Sequence, residues 1–161
     1  MSDHLTDAYV PARPPVDAGR LWAGGLATAA VAALITVVGV LVARGLLGVS
    51  LLAPKGEGVW GDASTGWYAF GAAVAALLAT GVMHLLLLVT PRPLRFFGWL
   101  VSLATAAATV APFVTSASLA ARTVTACLNL VLGVAIGSLV AGTARGATRV
   151  HPSEMSRDAG Y

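Results

Sequence analysis

Residues 67–115 read WYAFGAAVAALLATGVMHLLLLVT (67–90), PRP (91–93) and LRFFGWLVSLATAAATVAPFVT (94–115). Two apolar segments, each long enough to cross a bilayer, are joined by a basic, proline-bounded turn. A hydrocarbon core of about 30 Å needs about 20 apolar residues at about 1.5 Å of rise each. Pro91 stops the first segment, and Pro93 suits the first turn of the next, where no N–H is needed. So short a connection forces antiparallel neighbours.

Working outward, two more segments of the same kind flank this hairpin, at 21–43 and 123–144, and none of the four contains a carboxylate. The sequence therefore predicts an all-α, four-helix transmembrane bundle with spans at 21–43, 67–89, 94–115 and 123–144. Composition agrees. Of the 161 residues, 57% are hydrophobic and 11% charged, where a soluble domain is about 25% charged. Residues 1–20 and 145–161 are polar tails, expected to be disordered because they hold too little apolar surface to fold.

Residues 45–66 make the one sizeable loop. Apolar character runs on past Arg44, so either the first helix projects from the membrane or 45–54 folds back along the interface. Asp62, Ser64 and Thr65 are candidate caps for the next helix. Trp22 stands at headgroup level, and Phe96, Phe97 and Trp99 form an aromatic belt. Pro112 is expected to bend the third helix near its end.

The isoelectric point of about 9.6 does not indicate nucleic acid, because nine of the ten cations are arginines beside the apolar spans. There they set orientation. With alternating sides, Arg13, Arg20, Arg92, Arg95, Arg145, Arg149 and Arg157 fall on one face, against Arg44, Lys55 and Arg122 on the other. Seven against three predicts cytoplasmic termini and an external loop. The single cysteine, Cys127, excludes an internal disulfide and a cysteine-rich metal site.

Small residues spaced by four let helices approach closely in lipid, where packing replaces the hydrophobic drive. Three such rows are expected to be packing faces: Gly25, Ala29 and Ala33; Gly71, Ala75 and Ala79; and Gly133, Gly137 and Ala141. A second row on the second span holds Ala72, Ala76, Thr80 and His84.

An ionisable group inside a span is a functional candidate by default, and His84 is the one at depth, about 9 Å from the end of its helix. Matching depths nominate Thr28, Ser102 and Ser138 as hydrogen-bond partners, with Trp99 nearby. Asn129 lies nearer the other side, level with Thr36, Thr80, Thr105 and Thr109. It is a candidate for fixing helix register or for contacting an ion or polar substrate. Arg44, Arg122, Glu57 and Asp62 form an external charge cluster, expected to hold at least one Arg–carboxylate pair. No catalytic set, metal-binding cluster or cofactor motif is present, and the chain reads as non-enzymatic.

The segments WGDASTGWYAFGA (60–72), MHLLLLVTPRPLRFFGW (83–99) and LNLVLGVAIGSLVAG (128–142) resemble a family of small actinobacterial integral membrane proteins of unknown function. The likeness covers about 20–143. It implies four spans in a bacterial plasma membrane and carries no activity with it. Two functions stay open. The first is an accessory or assembly subunit acting through helix contacts, with the lipid bilayer and either a second copy or a membrane protein as partner. The alternative is a small oligomeric transporter or channel with His84 and Asn129 lining its path.

Overall fold

A computed structural model of the protein describes residues 17–45, 48 and 64–147. The described chain is helical, with α1 at Ala18–Gly45, α2 at Ser64–Val89, α3 at Pro93–Val110, a 3-10 turn at Ala111–Val114, and α4 at Leu119–Ala147. All four spans are long and apolar enough to cross a bilayer, and the chain is a multi-pass membrane protein. Of the tails expected at 1–20 and 145–161, residues 18–20 and 145–147 are helical, and 1–16 and 148–161, like most of the 45–66 loop, lie outside the described residues.

Polar caps lengthen the helices beyond their apolar runs. The Asp17 carboxylate accepts the Arg20 N–H at 3.0 Å, and its carbonyl accepts that of Leu21 at 3.1 Å, so α1 starts before the apolar run. Ser118 caps α4 in the same way: its Oγ accepts the Ala121 N–H at 3.3 Å and its carbonyl the Arg122 N–H at 3.1 Å. The polar turn expected at 116–122 is thus partly helix. Ser64 and Thr65, expected as caps, are the first residues of α2. The first helix stops at Gly45, and Gly48 follows in the left-handed region at φ 60°, which glycine adopts without strain. The rest of 45–54, for which a projecting helix or a fold-back was expected, lies outside the described residues.

Small residues dominate the inward faces of α1 and α2, while α4 buries Leu128, Leu132, Ile136 and Val140. Ala29, Ala32, Ala72, Ala76 and Ala144 are buried, whereas Leu26, Leu34, Leu78, Leu85 and Leu103 are exposed. A water-soluble bundle would hide its leucines. Here the surrounding medium is as apolar as the core, and small residues go inside because they allow close approach. Four buried threonines, Thr28, Thr36, Thr80 and Thr125, donate their hydroxyl protons to the carbonyl four residues back, at 2.8–2.9 Å. Their polar groups are satisfied within their own helices.

The first helix packs along both α2 and α4, while α3 rests chiefly on α4 and meets α2 much less; α1 and α3 do not touch. Only 11% of the apolar stretch of α3 is buried, against 33% for α1 and α4, so α3 is the loosely held member. Its α-helix ends at Val110, and Pro112 carries the chain into the 3-10 turn.

Candidate functional site

The polar side chains inside the spans form two interhelical clasps, at opposite ends of the bundle and on opposite faces of α2. At the end shared by the chain's described termini, the Trp22 indole N–H donates to His84 Nδ1 at 3.1 Å, with the rings edge to face at 6.4 Å. The imidazole nitrogen that accepts is by necessity unprotonated. The partner is neither Thr28 nor Ser138, whose hydroxyls serve the carbonyls of Gly24 and Ala135, nor Ser102, which lines a groove between α3 and α4. Trp22 lies on α1, the helix that packs most extensively along α2, and keeps an exposed face while it makes this bond.

At the other end, Asn129 ties three helices together. Its amide donates to the carbonyl of Ala108 on α3 at 2.7 Å, and its carbonyl oxygen accepts the hydroxyl proton of Tyr68 on α2. The α3 bond has a specific cause. In an α-helix the carbonyl of residue 108 is served by the N–H of residue 112, and residue 112 is proline. An unserved carbonyl in hydrocarbon is costly, and the Asn129 amide replaces the missing donor. Thr36 and Thr80 give their hydroxyl protons to the carbonyls of Ala32 and Ala76 on the buried faces of α1 and α2. Thr105 takes a different part: its side chain packs onto Gly133, and its carbonyl accepts the Thr109 hydroxyl proton at 2.8 Å.

The small-residue rows divide. Gly25 receives Thr80, so that a Cβ there would lie 2.6 Å from the threonine methyl; Gly133 receives Thr105, and Gly137 receives Val101. Ala29 is buried between helices and Ala33 partly so. The row Gly71, Ala75 and Ala79, expected to be a packing face, is exposed at Gly71 and Ala75, and only Ala79 packs partly against the core. A Cβ at Gly71 would meet nothing within 4 Å, and all three residues line a crevice between α2 and α3. The neighbouring row, Ala72, Ala76 and Thr80, is the buried one.

This crevice has a volume of about 550 Å³ and is floored by α4 through Asn129, Leu132, Gly133 and Ile136. Trp67 and Tyr68 stand at its end nearest the N-terminus of α2. A second groove of about 480 Å³ lies on the other side of α3, where Gly98, Ser102 and Ala106 face Val134, Ser138 and Ala141 of α4. Ser102 and Ser138, nominated as partners of His84, meet each other's helices here.

In the expected external charge cluster, Glu57 and Asp62 lie outside the described residues, so their pairing with arginine does too. Arg44 is exposed at the end of α1. Arg122 is half-buried in the first turn of α4, and its Nε is buried with no hydrogen-bond partner among the described residues.

Sequence reasoning missed Tyr68 and Trp22 as clasp partners. The signal for the Asn129 bond was present in the chain, because a proline at 112 leaves the carbonyl at 108 unserved, and a lone span asparagine is the obvious donor. No curated protein and no solved structure matches the chain. One comparison does: residues 16–146 match a family profile, and the chain belongs to that family of unknown function, DUF6069.

Proposed function

We propose that the protein is a non-enzymatic accessory or assembly subunit of a bacterial plasma membrane, with both termini in the cytoplasm, and that it acts by packing against another transmembrane helix. The observation that carries this is the groove between α3 and α4. Gly98, Ser102 and Ala106 are spaced by four along α3 and are all exposed, and Ser138 is exposed beside them. A row of small residues with hydroxyls is what a second helix needs for close approach and an interhelical hydrogen bond in lipid. The arginine imbalance supports the orientation.

The transport reading has less behind it. His84 on α2 bonds to α1, whereas Asn129 on α4 bonds to α2 and α3 at the other end of the bundle, and each is engaged in its own clasp.

Cys127 is exposed and lies seven residues before Val134, hence two turns along nearly the same face of α4. Crosslinking through Cys127 in native membranes is expected to trap a membrane protein or a second copy, and Gly98→Leu or Ser102→Leu to abolish the product. A chain that stays uncrosslinked and purifies alone in mild detergent would refute the reading.

A further inference from the structure

The crevice between α2 and α3 is narrow for its length. On α2 its lining runs from Trp67 to Val82, about 22 Å along the helix, and on α3 from Leu100 to Ala108, about 12 Å. Its volume of about 550 Å³, spread over those lengths, leaves a cross-section of about 25–45 Å². A helix with its side chains is about 10–12 Å across, roughly 80–110 Å². It could lie over the crevice but not within it, and the exposed Trp67, Leu78 and Leu100 at the rim would hold it off the floor. A single hydrocarbon chain, whose carbons sit about 4 Å from their neighbours, fits inside. The groove assigned to a partner helix is a separate feature, lined by α3 and α4 without α2.

One end of the crevice is polar and uncharged. Tyr68 lies four residues into α2, about 6 Å from the start of that helix. With Trp67 it stands at the level where aromatic rings mark the membrane interface. Its hydroxyl donates to Asn129, whose amide in turn donates one of its two N–H groups to the Ala108 carbonyl. The second N–H makes no hydrogen bond among the described residues. None of the described residues lining the crevice is charged, so a charged group placed there would lack a counter-charge in hydrocarbon. An apolar slot that ends in one amide donor is complementary to a hydrocarbon chain that ends in an uncharged acceptor.

We infer that this crevice is a binding site for one acyl chain of a bilayer glycerolipid, with the ester carbonyl of that chain accepting the second N–H of Asn129. The headgroup stays outside the crevice and is not read. The chain fills the space left because α2 presents Gly71 and Ala75 where a packing face would present bulk. It thereby supplies contact between two helices that the protein itself joins sparingly, and the ester bond sets it apart from the lipid that merely surrounds the bundle.

The test reconstitutes the full chain in vesicles of equal diacyl phosphatidylcholine and its dialkyl ether analogue, which lacks the carbonyls. The chain is then extracted in mild detergent and its retained lipid counted by native mass spectrometry. One lipid per chain is expected, with the ester form favoured about threefold, the factor one hydrogen bond supplies in lipid. Exchanging phosphatidylcholine for phosphatidylglycerol in both forms should leave that ratio unchanged. Asn129→Ala combined with Pro112→Ala removes the amide while returning a helical N–H to the Ala108 carbonyl, and should bring the ratio near one. Gly71→Leu meets open space and should lower retention of both forms by filling the slot, whereas Gly98→Leu, in the α3–α4 groove, should change neither. No retained lipid, equal retention of ester and ether forms, an unchanged ratio in the double variant, full retention in Gly71→Leu, or a headgroup preference in place of the ester one would each overturn the inference.

Discussion

The α1–α2 boundary and the α2–α3 boundary are both made by antiparallel neighbours with small residues at four-residue spacing, yet one is closed and the other open. At the first, Gly25 admits Thr80, and Ala29, Ala32, Ala72 and Ala76 are buried. At the second, Gly71 faces empty space and the row behind it lines a crevice. Spacing alone does not make a packing face. A glycine promotes contact only where the opposite helix offers a side chain that fits the notch, and α3 offers its Thr105 and Val101 to α4 instead.

The contrast is most directly broken by enlarging the two glycines. Gly25→Leu forces a side chain into Thr80 and should cost about 3 kcal/mol, the upper part of the usual overpacking range. Gly71→Leu should be close to neutral. Thermal unfolding followed by helical circular dichroism in detergent measures both, and equal losses would erase the distinction between the two boundaries.

The next largest effect concerns what holds α3 in place despite its thin packing. Asn129→Ala strips the Ala108 carbonyl of its donor and should cost about 2 kcal/mol, the penalty of an unserved buried acceptor. Pro112→Ala supplies an N–H at the helical position, so adding it to Asn129→Ala should recover a large part of the loss. Additive losses in that cycle would show that the two residues do not serve the same carbonyl. Tyr68→Phe removes only the bond to α2 and should cost about 0.6 kcal/mol, the mean for interhelical bonds in lipid. Trp22→Phe, at a bond close to the membrane surface, should cost the same or less. A larger loss there than in Asn129→Ala would shift the weight of the fold to the α1–α2 end.

Four crossings were legible because apolar length depends on the bilayer alone, and the hairpin turn was legible because proline chemistry is local. The helix ends were drawn short because Asp17 and Ser118 cap from outside the apolar runs. The packing face of α2 was misplaced because Gly71–Ala75–Ala79 and Ala72–Ala76–Thr80 lie side by side on the helix, and only the tertiary arrangement chooses between them. Depth matching for His84 failed because it ranked partners by height and ignored which helices are neighbours. It admitted two serines from the α3–α4 groove and left out Trp22, already assigned to the interface. The crevice itself depends on the open α2–α3 boundary, which no spacing rule reveals.

The proline at 112 also has a consequence for how the protein is made. Because the donor for the Ala108 carbonyl sits 21 residues downstream, the third crossing enters the bilayer with a bare acceptor that nothing already synthesised on its own helix can cover. That deficit ends only when the ribosome has delivered the following helix and the two have met. The final two crossings therefore complete each other's hydrogen bonding, and a chain truncated before residue 129 is expected to insert a third helix that still lacks one donor.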